Sequence, residues 1–496
     1  MLHNLMYGFH VAFQVDNLLF CAMGVLLGTL VGVLPGIGPV GAMALLLPAT
    51  FKASPTASLI MLAGIWYGSQ YGGSTTSILV NIPGEATSVM TCLDGYQMAR
   101  QGRAGPALAI AAWASLIAGT FSLIGLMLLA VPLAEEALRF GPPEYFSLMC
   151  AGLVLLTFLA QKSFLKAIMM AVAGILLSTV GLDLITGLPR FTFGIDALVD
   201  GISISPMVMG LFGIAEILDN LDNTVQGGVL SGAIGHLYPS VKDWLQVKGA
   251  IVRGTVIGFL LGILPGGGAI LSTFVSYAVE KKVSKNPEKF GKGAIEGVAA
   301  PEAANNAAAE SALIPLLSLG LPPNVNMAML FSALVIHGIQ PGPLLIKDHP
   351  DIFWGLIASM YFGNVLLLVL NLPLVGIWVK VLKVPQKILS PLILLFCLIG
   401  AYSINGVIFD VYVMVLFGVV GYLSRKFGYD IAPLVLAFVL GRRLEQALRQ
   451  SLLISQGSFT IFFTSPISAI VLGIAVLLII TSLVPGLKKG HELYGR

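Results

Sequence analysis

Apolar runs long enough to enter a lipid bilayer follow one another along this chain, separated by short polar connections. That succession leaves few possible folds. Inside hydrocarbon no water can satisfy a backbone N–H or C=O, so a segment must be a helix or part of a closed barrel. The runs are continuously apolar over about 20 residues, not alternating, which favours helices. Composition agrees. Only 10% of the 496 residues are Asp, Glu, Lys or Arg, and 57% are hydrophobic, against about 25% charged in soluble chains. This excludes an ordinary cytosolic globular protein, a disordered chain and a disulfide scaffold. The net charge of +3 is small and dispersed, so no nucleic-acid-binding face is indicated. Cys21, Cys92, Cys150 and Cys397 are far apart and make no metal-binding spacing. No phosphate-binding loop, nucleophile elbow or metalloprotease motif occurs, so neither an ATPase nor an enzyme is expected.

The runs read as Asp16–Leu34, Gly38–Phe51, Ala57–Ile82, Ala104–Leu133, Tyr145–Ala160, Phe164–Leu182 and Pro206–Leu218. The second half continues with Ala250–Leu264, Ala269–Val279, Ala294–Leu321, Asn324–His337, Ile352–Val379, Ile388–Tyr402, Val407–Leu423, Pro433–Leu440 and Pro466–Val484. The expectation is an all-α polytopic membrane protein with about 12–14 membrane segments, some re-entrant. The densest basic cluster is Lys281, Lys282, Lys285, Lys289 and Lys292. Placing it with the other basic clusters in the cytoplasm puts the N-terminus outside. Arg442, Arg443 and Arg449 are exceptions: they fall on the outer side or inside a protein-lined region.

The chain also repeats itself. Gly24, Gly28, Leu30, Gly32, Leu34, Pro35, Gly36 and Gly38 recur as Gly254, Gly258, Leu260, Gly262, Leu264, Pro265, Gly266 and Gly268, at one ungapped offset of 230 residues. Weaker echoes follow in order, among them Asn81-Ile82-Pro83-Gly84 with Gly320-Leu321-Pro322-Pro323. Two units are expected, residues 1–245 and 246–496, in one integral membrane domain. The charge argument puts their first helices on opposite sides, an inverted-topology repeat of the kind found in secondary transporters. Glycines at i, i+4 and i+8 line one helix face and admit a neighbour closely. The Pro-Gly-x-Gly that follows must end the helix, so re-entrant Pro-Gly hairpins are expected at Gly36 and Gly38 and at Gly266, Gly267 and Gly268.

Polar residues gather beside these glycines. Ser69, Gln70, Gly72, Gly73, Ser74 and Thr75 interrupt an apolar run that ends at Asn81. Gly72-Gly73 is expected to break the helix, with Ser74 and Thr75 capping its restart. Free N–H groups there would suit a substrate carboxylate. In the second unit Asn305, Asn306, Glu310 and Ser311 lie in a run broken in the same way, and Asn306 and Glu310 share a face at i, i+4. Amide oxygens and a carboxylate suit Na⁺, and an intramembrane Glu can instead carry a proton. Asn364 and Asn371 lie in a long span, and at least one should face protein.

These motifs together resemble the large membrane subunit of the tripartite tricarboxylate transporters, the TctA family. The residues that carry the resemblance are Gly32 to Pro39, Tyr67 to Ser74, Asn81 to Gly84, Asp94 to Ala99, Leu264 to Gly268, Gly297 to Glu310 and Gly320 to Pro322. The resemblance implies a multi-pass carrier of organic carboxylates in a bacterial inner membrane. It implies symport with Na⁺ or H⁺, a small membrane subunit (TctB-like), and a periplasmic solute-binding protein (TctC-like) that delivers substrate. No other cofactor, no metal and no nucleic acid is implied; membrane lipids are. A stand-alone carrier or channel without a binding protein remains the alternative.

Overall fold

The computed structural model describes residues 1–34, 38–158, 163–183, 185–222, 236–266, 268–382 and 386–483. Helices account for nearly all the regular structure. The one sheet among the described residues is a two-stranded hairpin pairing Gly181–Leu182 with Pro189–Arg190. In chain order, the principal helices of the first half are α1 Val15–Val33, α2 Pro55–Val80, α3 Val89–Arg100, α4 Ala104–Ala137, α5 Pro142–Phe158 and α6 Phe164–Ser178. Next comes α7, built from Ile204–Val208, a π-helical stretch Met209–Ile214 and Ala215–Asp222. The second half gives α8 Val241–Gly262, α9 Gly268–Val283, α10 Glu296–Ser311, α11 Leu313–Leu319, α12 Val325–Ile336 and α13 Pro350–Asn371. It ends with α14 Ile408–Lys426, α15 Ala432–Ile454 and α16 Pro466–Leu483. Five of these, α1, α4, α8, α13 and α14, are long and apolar enough to cross a membrane, and several shorter apolar helices accompany them.

The repeated glycines have one physical job. A methyl group placed on Gly24, Gly28 or Gly32 of α1 would run into the backbone of Met61, Ile65 or Ser69 on α2. One placed on Gly254, Gly258 or Gly262 of α8 would run into Ala300, Ala304 or Ala308 on α10. The partners correspond as regularly as the glycines do, at a constant offset of 239 residues. The same offset relates Asn81 (φ 60°) to Gly320 (φ 70°), the left-handed residues that close α2 and α11. Each half therefore contains a glycine-striped helix pressed onto a polar helix.

The two halves interlock. α4 of the first half lies along α10 of the second, and α13 of the second lies along α2 of the first. Farther along, α6 packs on α15 while α14 packs on α7. These contacts also exchange: Gly174 of α6 abuts Leu434 and Ala437 of α15, and Gly210 of α7 abuts Met414 and Gly418 of α14.

Three local expectations fail. First, α2 is continuous through Gly72-Gly73. Both glycines serve close approach instead of a break: Gly72 faces Thr29 and Val33 of α1, and Gly73 faces Glu85. Intact helical hydrogen bonding and tight packing outweigh the roughly 1 kcal/mol that each helical glycine costs. Second, α10 is unbroken across its asparagines, with Pro301 inside it. The step comes at Ala312, after Ser311, and α11 then resumes. The apolar run read as Pro433–Leu440 also proves to be only the start of α15, which continues through its arginines to Ile454.

Candidate functional site

Helices α2 and α10 are sheathed on every side. Each residue from Thr56 to Val80 and from Gly297 to Ser311 is buried. Their polar side chains therefore face protein, not lipid or open water. Trp66 ties the two together through an indole N–H donated to the Ala309 carbonyl at 3.1 Å.

Glu302, Asn306 and Glu310 follow at i, i+4 and i+8, so they share one face of α10. Glu302 is surrounded by hydroxyl donors from three other helices. Ser74 of α2 donates to Oε2 at 2.6 Å, Thr91 of α3 donates to Oε1, and Ser115 of α4 lies 3.5 Å from Oε2. The Asn306 amide donates to Ser115 at 2.6 Å and to the Glu302 carbonyl at 3.2 Å. A narrow gap lined by Tyr71, Ser74, Thr75, Ser115, Glu302 and Asn371 runs along this face.

About 12 Å farther along the helix, Glu310 has different company. Asn364 of α13 donates its amide to Oε1 at 2.6 Å, and the Tyr71 hydroxyl reaches the Asn364 carbonyl oxygen at 3.5 Å. Gly119 of α4 leaves room for the carboxylate, since a methyl there would lie 2.6 Å from Oε1. Among the described residues, Glu310 Oε2 has no hydrogen-bond partner, and neither do Asn306 Oδ1, Asn371 Oδ1 or either amide atom of Asn305. Buried polar groups left this way cost on the order of 1–3 kcal/mol each. Most of the orphans are acceptors, so a bound cation or a proton would satisfy them where an anion would not.

The remaining expected residues are placed as follows. Ser74 and Thr75 sit in mid-helix, with hydroxyl oxygens 2.9 Å from the Gln70 carbonyl and 3.5 Å from the Tyr71 carbonyl. They are not N-caps, and their backbone N–H groups belong to the helix. Ser69 bonds back to Trp66 at 2.7 Å, and Gln70 accepts from Thr87 at 3.0 Å, which also donates to Glu85. Asn81 is exposed at the end of α2, in a left-handed conformation that suits a cap. Gly38 and Gly266 have φ of +65° and +109°, as chain reversals require. The Gly266 N–H donates to the Pro323 carbonyl at 3.0 Å. Gly268 abuts Leu261 and Gly262, and Ser311 abuts Gly262. Gly36 and Gly267 lie outside the described residues.

Sequence reasoning missed Glu302, Thr91 and Ser115. Glu302 was detectable, because it extends the Asn306–Glu310 stride by one turn. Thr91 and Ser115 carried no signal, since a lone hydroxyl in an amphipathic or apolar helix resembles any packing residue. The expectation for Asn364 holds: it faces protein and contacts Glu310.

Comparison with known proteins adds the following. The model of the tripartite tricarboxylate transporter TctA family matches residues 18–436. An Agrobacterium vitis protein described as an uncharacterized 52.8 kDa protein in the TAR-I ttuC' 3' region is 50% identical over 492 residues, covering 99% of this chain and 98% of that protein. A second, described as an uncharacterized protein in the TAR-II ttuC' 3' region of the same organism, is 52% identical over 235 residues. That match covers 47% of this chain and 97% of that protein. No solved structure matches.

Proposed function

This chain belongs to the tripartite tricarboxylate transporter TctA family, a family of transporters and not of enzymes, and from that membership we propose that it is the large membrane subunit of an ion-driven importer of organic di- and tricarboxylates. In this reading the protein sits in a bacterial inner membrane. A periplasmic solute-binding protein hands it substrate, and a small membrane subunit completes the assembly. The two interlocked halves are inverted-topology repeats, and alternating access moves one part of the bundle against the other.

The observation that carries the reading is the α10 face with the end of α13 beside it: buried acceptor oxygens without donors among the described residues at Asn306 and Glu310 of α10 and at Asn371 of α13, inside an apolar bundle. An ion-coupled carrier needs a place where a cation or proton changes the energetics of the moving state. Asn305, Asn306, Glu310 and Ser311 would take the coupling ion, either Na⁺ or a proton on Glu310. A bound cation removes an unpaired buried charge, which is costly in a low-dielectric interior. The substrate carboxylate would lie nearer Ser69, Gln70, Ser74 and Thr75, between hairpins shaped by Gly36 and Gly38 and by Gly266, Gly267 and Gly268.

The test is uptake of radiolabelled di- and tricarboxylates, with and without a Na⁺ or pH gradient, in cells carrying the whole system. Glu310→Gln is expected to abolish the dependence on the gradient, and Glu302→Gln to depress uptake. Unchanged gradient-driven uptake in both variants, at equal protein levels, would overturn the assignment of the ion site.

A further inference from the structure

A second polar concentration lies at the far end of the bundle. The 34 residues of α4 span about 50 Å. The helix starts beside the Arg103–Asp243 ion pair (2.6 Å), near the lysine-rich loop, where Gln101 bonds to the Lys292 carbonyl. Its other end leads to Phe140 and a cavity of about 400 Å³. Among the described residues, the polar groups lining that cavity are Tyr145, Gln340, Arg443, Gln446 and Gln450, and none of the lining residues is acidic.

Arg443 is the unusual member. Its guanidinium lies 4.7 Å from the ring centroid of Phe331 on α12, and no described residue offers it a hydrogen bond or an ion pair. The neighbouring arginines are all committed. Arg442 donates to the carbonyls of Ser178 and Val180, and Arg190 and Arg449 are held by Asp183 and Glu445. The nearby acids are engaged elsewhere too. Glu144 accepts from the Gly141 N–H at 2.8 Å and from Ser465, and Glu445 accepts from Arg190. A half-buried guanidinium without a counter-charge is costly unless an anion completes it. Its planar fork fits a carboxylate with two parallel hydrogen bonds, and the Phe331 face fixes its position. Neutral amides and a phenol around it could serve the hydroxyl and second carboxylate groups of a small organic acid. A cavity of this volume falls within the usual range for small ligands, about 300–1,000 Å³.

We propose that the Arg443 cavity is an outer reception site, in which an organic carboxylate is held by the guanidinium and the surrounding Gln amides before it passes to the interior site beside α10. This rests on the carboxylate-carrier reading above and on the placement of the basic clusters in the cytoplasm, which puts this end of the bundle outside. It also accounts for Arg443 on a translocated face, where basic residues are otherwise scarce.

Two measurements test it. In cells carrying the whole system, Arg443→Gln should raise the KM for citrate or malate uptake by about tenfold, the equivalent of one lost charge-assisted contact. The maximal rate should stay within about twofold, and Arg443→Lys should recover part of the loss. A purely structural arginine would lower the rate and the protein level together. Separately, in the full chain, a thiol introduced by Gln446→Cys (or Gln450→Cys, should the first not accumulate) is labelled with anionic and cationic methanethiosulfonates and read by mass at that position. The anionic reagent should react faster, citrate or malate should slow labelling, and Arg443→Gln should remove both effects. If wild-type cells import no carboxylate but citrate still protects the thiol, the carrier reading falls and the anion site stands. Absence of protection with Arg443 in place, or an unchanged KM in Arg443→Gln at equal protein level, would overturn the site.

Discussion

Ser74 and Ser122 are both buried serines, yet they should respond oppositely to the same mutation. Ser74 gives its proton to Glu302, whereas the Ser122 hydroxyl has no partner among the described residues. Removing a hydrogen bond to a buried carboxylate costs about 1.5–3 kcal/mol, and removing an unpaired hydroxyl costs little or stabilises. Ser74→Ala and Thr91→Val should therefore lower the midpoint of thermal unfolding in detergent by several degrees, while Ser122→Ala leaves it level or raises it. Equal shifts would argue against Glu302 being held by these hydroxyls. A second residue-scale prediction concerns Asp183, in the loop after α6. Its carboxylate accepts the N–H groups of Thr186 and Ile185 and also pairs with Arg449 and Arg190. Together the backbone donors and the guanidinium hold its pKa well below the usual carboxylate range. A lowered folded-state pKa contributes stability that is full above the unfolded value, about 3.9, and is lost only as pH falls toward the folded one. Asp183→Asn should thus lower the unfolding midpoint by the same amount at pH 5 and pH 8, with the gap narrowing only below about pH 4. At this scale the sequence was partly legible. Asn306 and Glu310 announced themselves by spacing and polarity, but Ser74 was misread as a cap. A Gly-Gly before a serine looks the same whether it breaks a helix or admits a neighbour, and the deciding group, Thr29 of α1, is far away in the chain.

That ambiguity is resolved at the level of the element, where it makes a prediction with an unexpected sign. Alanine is a better helix former than glycine by about 1 kcal/mol, so Gly→Ala in a helix ordinarily stabilises. Gly473 in α16 has nothing near its missing side chain, and Gly473→Ala should be neutral or stabilising. Gly72 in α2 and Gly258 in α8 sit where a methyl would overlap the backbones of Thr29 and Ala304. Gly72→Ala and Gly258→Ala should destabilise, read as reduced folded protein in membranes and a lowered unfolding midpoint. Gly72→Ala behaving like Gly473→Ala would mean that α1 does not lie against α2 as described. Most helix positions were legible in the apolar runs, because hydrophobic length alone specifies them. Among the elements missed were α3 and the second half of α15, which are amphipathic or charged. Hydropathy cannot tell a helix covered by protein from a loop. The arginines that hid α15 are held by carbonyls, carboxylates and an aromatic ring, and apart from Glu445 in the same helix these partners are far away in the chain.

At the scale of the whole molecule, the internal similarity suggests two separable halves, but the packing does not. The polar helix of each half is flanked by a long helix of the other: α10 by α4, and α2 by α13. The hydrogen bonds follow the same crossing. Glu302 and Asn306 of the second half are bonded to Ser74, Thr91 and Ser115 of the first, and Trp66 of the first reaches Ala309 of the second. A half expressed alone would expose glycine-matched grooves and buried carboxylates to lipid, where unpaired polar groups are costly. Two polypeptides, residues 1–235 and 236–496, should each fail to accumulate when made singly. Made together, they should co-purify and recover carboxylate uptake, because every contact between the halves is non-covalent. Affinity capture of one half, with the other detected in the eluate, reads the outcome directly. Stable accumulation of either half alone, with protease resistance like that of the whole chain, would show that the interlocking is not what holds α2 and α10 in place. The buried polar face would then have to be a property of each half, and a cation site shared between them would lose its structural basis.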